Sequence, residues 1–262
     1  MKTLHLQTPT LSEFSGLIES RLIHSMHIFR GQANEKWGLV PSLYRINIDE
    51  AVPFSEYTLG QRYDHWEELQ IKYLFNQGHL YVPNMQRGYI NDRILAQHFG
   101  VPTRLLDWSG SPLVALYFAV QNFQEKENTD AAVFMVLPDT MGLPQDIVKK
   151  TVDHSNEPLA QVIAFRPPIF DYRIAAQDSI FTLHPSDDEK EFVPLNERPD
   201  VGYKSPYSEE RGFVKIIIPA HFKAELHKIL GRYGYNRQKL FPGLDSIGAT
   251  LAASVRIEEF IR

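Results

Sequence analysis

The 262-residue chain has no cysteine, which excludes disulfides, thiolate catalysis and cysteine-ligated zinc and fits a reducing, cytoplasmic setting. It shows no charged-then-apolar signal segment, and no apolar run is long enough to cross a bilayer, so no membrane partner is expected. Positive charge is also in short supply. Lys and Arg number 27 against 32 Asp and Glu, a formal net charge of -5, which disfavours nucleic acid as a partner. Familiar catalytic signatures are missing too: there is no Gly-rich phosphate loop ending in Lys, no Gly-x-Ser-x-Gly elbow and no His-Glu-x-x-His. The histidines show no metal-ligand spacing, and Asp187-Asp188-Glu189 reads as a solvated charge run, so no metal is expected.

What remains is ordinary globular composition, 43% hydrophobic and 23% charged, enough to bury a sizeable core. The first half reads as helical. Thr10-Leu-Ser-Glu13 is a capping box followed by Phe14, Leu17, Ile18 and Leu22 at helical spacing, so a helix is predicted to open the fold. The run Met26–Phe29 is β-rich and gives way to Arg30-Gly31, which places Arg30 where a strand becomes a loop. Asp64-His-Trp-Glu67 marks a second helix start, and Asn91-Asp92 precedes a short helix from Arg93 to Phe99, stopped by Gly100 and Pro102. Ser111-Pro112 is an N-cap and N1 pair leading into residues 113–120, apolar on every side and therefore packed on most faces.

The second half reads as strands at Ala131–Leu137, Ser179–Leu183 and Phe213–Ile218, with a long polar, mobile excursion at 185–211. Helices are predicted at Ala220–Tyr233 and Leu244–Ile261. Together these give an α+β fold: a mostly antiparallel sheet with N-terminal and C-terminal helices, in one domain spanning 1–262.

Candidate chemistry concentrates in Leu95–Ala119, which places Gln97, His98, Thr103, Arg104, Asp107, Trp108 and Ser109 in a loop clamped between two helices. Polar groups held that way must find partners. Arg104 and Asp107 either pair with each other or with helix ends and brace the loop, or they fix a ligand in a cleft where Trp108 offers a stacking face. Arg30 has three uses open to it: anchoring a phosphate, with Gly31 allowing close backbone approach; pairing with Asp107; or covering apolar surface with its stem.

The blocks FRGQ at Phe29–Gln32, PSLYR at Pro41–Arg45, AQHFGVPTRLLDWSGSPLVALYFA at Ala96–Ala119, RIAAQDSIFTLH at Arg173–His184 and LFPGLDSI at Leu240–Ile247 resemble, in order, the motifs of the FRG domain family. They reach from Phe29 to Ile247, nearly the whole chain, and depart from the family pattern where Ser109 replaces a threonine. The resemblance adds Gln32 and Arg45 to the candidate ligand-binding residues, beside Arg30, Gly31, His98, Thr103, Arg104, Asp107, Trp108 and Ser109. A second resemblance is to ADP-ribosyltransferases of the Arg-Ser-Glu type. It implies that Arg30 binds NAD, that Ser109 braces the site and that Gln177 stands where those enzymes carry a glutamate, making Arg30 and Gln177 the candidate catalytic pair. An amide there gives no anionic stabilisation to a cationic transition state. The resemblances therefore imply an NAD- or ADP-ribose-type ligand, with NAD cleavage or ADP-ribosyl transfer as the chemistry and bacterial conflict or antiphage defence as the setting. The alternative is a non-catalytic module binding a small molecule or protein partner in the same cleft.

Overall fold

In a computed structural model the chain forms an eight-stranded mixed sheet with helices; residues 1–20, 26–53, 56–81, 87–122, 129–138, 141–142, 162–185, 192–198 and 212–254 are described. The strands are β1 (Lys2–His5), β2 (Ile28–Gln32), β3 (Leu105–Ser109), β4 (Ala131–Val136), β5 (Met141–Gly142), β6 (Ile163–Phe165), β7 (Ser179–Leu183) and β8 (Val214–Ile218). Their order across the sheet is β1-β8-β4-β2-β3-β7-β6-β5, with β1·β8 and β5·β6 parallel and the other pairs antiparallel. The helices are α1 (Leu11–Glu19), α2 (Ile48–Ala51), α3 (Leu59–Gly78), α4 (Tyr89–His98), α5 (Pro112–Val120), α6 (Tyr172–Ala176), α7 (Lys223–Arg232), α8 (Arg237–Leu240) and α9 (Leu244–Ser254). The α+β architecture is as the sequence predicts, and among the described residues no helix is long and apolar enough to cross a membrane.

Several local expectations change. A strand, β1, precedes the first helix, because an added parallel partner for β8 satisfies a backbone edge that the alternation of Lys2–His5 barely advertises. Thr10 caps α1 by accepting from the Glu13 amide, but Glu13 reaches back to the amides of Gln7 and Thr8 rather than to Thr10. The helix predicted from Asp64 begins five residues earlier, at Leu59, where Thr58 and Gln61 form the capping box. Arg30 lies inside β2 and not at a strand end. The stretch read as a clamped loop contains β3, whose Asp107 and Ser109 disguise a strand fully paired with β7. Within the predicted excursion, Leu195 is buried and its amide donates to the Leu39 carbonyl at 2.9 Å; 186–191 and 199–211, including the Asp187-Asp188-Glu189 run, lie outside the described residues. So do Leu22 and the end of the predicted C-terminal helix beyond Ser254.

One face of the sheet packs on α1, α5 and α7 through Phe14, Ile18, Phe29, Val133, Ile216 and Leu226. The opposite face buries Ile28, Leu106, Trp108 and Phe134 beneath irregular segments carrying Leu39, Leu195 and Phe213. Helix α5 is capped by Ser111, which accepts from the Val114 amide, and starts with Pro112 at its first turn. Its apolar circumference lets it lie directly on β2: a Cβ at Gly31 would overlap the Ala115 carbonyl oxygen, so only glycine permits this approach.

The sheet forks at one point. Strand β2 keeps five register pairs with β4, from Ile28↔Val136 to Gln32↔Ala132, but meets β3 only at Phe29↔Ser109. Beyond that pair β2 and β3 part, and Arg30, Gly31, Asp107 and Trp108 have no ladder partner across the gap.

Candidate functional site

The fork opens into a pocket of about 290 Å³ lined by Phe29, Arg30, Gly31, Asp107, Trp108, Ser109, Ala115, Phe118 and Gln177. Arg30 bridges the gap. Its Nη1 donates to the Asp107 carbonyl oxygen at 2.6 Å, replacing the ladder bond that the fork removes, and lies 3.7 Å from Asp107 Oδ2. Nε of Arg30 is buried and makes no hydrogen bond. Burial pushes the guanidinium below its ordinary pKa, with Asp107 opposing and Arg45 adding to the shift; it remains charged at neutral pH. An arginine with one tight hydrogen bond and an orphaned buried donor leaves capacity for an acceptor.

At the closed end of the fork, Ser109 Oγ donates to the Gln177 carbonyl at 2.7 Å and accepts from the Ser111 amide at 3.0 Å. This hydroxyl ties β3, the end of α6 and the start of α5 together, and both its roles are spent within the protein. Gln177 is the C-cap of α6, and its Nε2 donates to the Leu240 carbonyl at 2.9 Å. Asp178 follows at φ 44, a left-handed conformation that turns the chain into β7. Its carboxylate pairs with Arg166 Nη1 at 2.6 Å, and a Cβ on Gly110 would overlap it.

Trp108 does not serve as an open stacking face. Strand alternation turns its indole to the opposite face from Asp107 and Ser109, where it is 3% exposed and donates from Nε1 to Thr182 Oγ1 at 2.9 Å. Phe118, on α5, is the partly buried aromatic at the pocket and meets Phe241 edge-on, with ring centroids 5.8 Å apart. The signal for it was the all-apolar helix that Ser111-Pro112 starts, which sequence reading assigned to core.

The structure thus brings Arg30, Gly31, Asp107, Trp108, Ser109 and Gln177 to one pocket although they are remote in sequence. The other candidates lie outside its lining. Arg104 does not pair with Asp107: its Nε and backbone amide donate to Glu67 at 2.6 and 2.8 Å, and its Nη2 pairs with Asp64. Burial acts against the Arg104 charge, but Glu67, Tyr89 and Asp64 outweigh it and hold its pKa well above the ordinary value. Thr103 Oγ1 donates to Gln97, and the Thr103 amide donates to Ser42 Oγ. His98 pairs with Asp171 at 3.3 Å, and burial lowers its pKa. Gln32 donates to the Gly38 carbonyl at 3.3 Å and keeps a buried Oε1 without a partner. Arg45 donates from Nε to the Val40 carbonyl at 2.9 Å, yet its charge acts on both Arg30 and Asp107, so it belongs to the electrostatics of the fork. Among the described residues no cluster of His, Cys, Asp or Glu could hold a metal.

A titratable group that sequence reading weighed only as a metal ligand lies deeper. His184 is fully buried, its Nε2 is 2.8 Å from Thr182 Oγ1, and its Nδ1 has no partner. Burial, with Arg198 and Arg30, pushes its pKa down to about 3.

Residues 25–128 match the FRG domain. The match takes in β2, β3 and α5, and with them the floor and two walls of the pocket. It does not extend over the whole chain as the sequence blocks imply: Gln177, Asp178 and Leu240 lie beyond it, so the FRG domain match covers the arginine side of the pocket and not the glutamine side. No curated protein and no solved structure matches the chain.

Proposed function

We propose that the pocket in the fork binds a nucleotide-type small molecule of the NAD or ADP-ribose kind, with Arg30 holding phosphate. The observation that carries this reading is the incomplete coordination of Arg30: one tight bond to a backbone carbonyl, an orphaned Nε and a position on the pocket wall. A planar guanidinium suits two phosphate oxygens. Phe118 offers an apolar surface for a ring, and the Gln177 side-chain carbonyl supplies an acceptor for ribose hydroxyls. At about 290 Å³ the pocket sits at the small end of ligand sites, roughly 300–1,000 Å³, so it holds one half of a dinucleotide.

Cleavage of the nicotinamide–ribose bond, or ADP-ribosyl transfer, is the chemistry that the resemblance implies. Binding without turnover is the second reading, and Gln177 favours it: a neutral amide whose nitrogen is engaged by Leu240 gives no counter-charge to an oxocarbenium ion. Titration calorimetry with NAD and ADP-ribose tests binding, and nicotinamide release from NAD tests chemistry. The reading predicts binding of ADP-ribose by the folded protein; no binding of either ligand contradicts it. A role in bacterial conflict or antiphage defence predicts that expression lowers phage plating, and that Arg30→Ala abolishes the effect.

A further inference from the structure

Asp107 lies beside the Arg30 guanidinium and within reach of the charge of Arg45. Its Oδ2 lies 3.7 Å from Nη1 of Arg30, outside hydrogen-bonding range, and its side chain is 60% exposed. Its charge acts on Arg45 as well. What Arg30 grips is the carbonyl oxygen of residue 107, an atom that any amino acid there would supply. The carboxylate is therefore a loosely held counter-ion, while the buried Nε of Arg30 has no acceptor at all.

We infer that Asp107 sets the charge a ligand must carry: it occupies the arginine pair as an internal anion and yields only to a doubly charged phosphate group, whether a terminal monoester or a pyrophosphate. This rests on the proposal that the pocket binds a nucleotide-type ligand. A carboxylate, or a phosphodiester with a single charge, replaces Asp107 with an equal charge and gains little. A monoester carries nearly two charges and three strong acceptor oxygens, and a pyrophosphate matches it in charge. Either offers the Arg30 guanidinium a second strong acceptor beside the Asp107 carbonyl and is drawn by the Arg45 charge as well. Asp107 acts as a repulsive element against the wrong ligands, the usual means by which a site gains specificity without new contacts.

Asp107→Asn tests this, because it removes the charge and keeps both the shape and the carbonyl that Arg30 holds. Wild type and variant are titrated with AMP, a monoester; ADP-ribose, a pyrophosphate; and cyclic AMP, which has the base and ribose of AMP but one charge. Wild type should bind the better of AMP and ADP-ribose at least about tenfold tighter than cyclic AMP, a difference the extra charge-assisted hydrogen bonds can supply. In Asp107→Asn cyclic AMP should tighten by about fivefold and the preference should shrink to about threefold or less, as expected when a competing charge is removed. Whichever of AMP and ADP-ribose binds tighter assigns the source of the phosphate. A preference that survives unchanged in the variant, or a variant that binds every ligand more weakly, overturns the inference while leaving nucleotide binding standing. If none of the three binds either protein, the nucleotide proposal falls and this inference with it. Asp107→Ser, with thermal unfolding of both variants, separates loss of fold from loss of charge.

Discussion

Two arginines flank β3, Arg104 immediately before it and Arg30 reaching over from β2 to the Asp107 carbonyl, and their surroundings differ in kind. Arg104 stacks its donors against Glu67 and Asp64, and Arg93 donates to the same Glu67 at 3.0 Å and to the Tyr89 carbonyl at 3.0 Å. Glu67 is 0% exposed and accepts from both guanidiniums and from the Arg104 amide. Arg30, which lines the pocket, has one tight bond, a carboxylate out of hydrogen-bonding reach and a buried Nε with no partner. A buried ion cluster whose members satisfy one another holds the fold together, whereas a buried cation left partly unsatisfied is set up to meet something from outside. The first arrangement fits stability and the second fits the binding proposed for the pocket, and that division can be broken experimentally.

The largest effect should come from the satisfied cluster. Glu67→Ala leaves two arginines buried without their shared anion, and denaturant unfolding should show a loss of about 3–5 kcal/mol. A loss below about 1 kcal/mol would mean that the cluster is solvated and the contrast with Arg30 unfounded. Gly31→Ala tests the close approach of α5 to the fork: its Cβ has no room beside Ala115, so overpacking should cost about 1–3 kcal/mol and should distort the pocket floor, visible as lost ligand binding.

His184, adjacent to the Arg30 side of the contrast, gives a pH signature. Its folded pKa of about 3 lies below the ordinary histidine value of 6.5, so the unfolded chain takes up the proton first as pH falls. The histidine's contribution to stability is full above pH 6.5 and is lost from there down towards pH 3, by up to about 1.4 kcal/mol per pH unit. Denaturant midpoints of wild type and His184→Gln should therefore converge as pH is lowered through that window; parallel curves would place His184 in contact with water. The smallest effect belongs to Asp107→Ala. With its carboxylate 60% exposed and 3.7 Å from Arg30, unfolding should shift by less than about 1 kcal/mol, and a loss near that of Glu67→Ala would erase the distinction between the two sites.

How far the sequence exposes all this depends on whether a residue's environment is local. The Ser111-Pro112 start of α5, the strand Ser179–Leu183 and the α+β class follow from short-range rules of capping and alternation, and they stand in the structure. Strand β3 was hidden because Asp107 and Ser109 interrupt its apolar pattern, and polar residues in a central strand make sense only once the fork and the α5 wall are known. The partners of Arg104 lie 37 and 40 residues away on α3, beyond anything local spacing can reveal. Trp108 was legible as an important aromatic but not by face: a one-residue phase in the strand decides between pocket and core. Gln177 reached the pocket because it ends α6 immediately before β7, a position that the motif order did suggest.

The account turns on Arg30 being held for a ligand and not for the fold. Arg30→Lys keeps the charge but removes the planar fork and Nε, so calorimetric titration with ADP-ribose, read beside thermal unfolding of the same samples, tests that claim most directly. The predicted result is affinity reduced by about tenfold or more, the cost of losing one charge-assisted hydrogen bond, with an unfolding midpoint close to wild type. Equal affinity in the two proteins, or a variant that loses stability while ligand binding by the folded fraction is unchanged, would show that Arg30 is a brace like Arg104 and contradict the account.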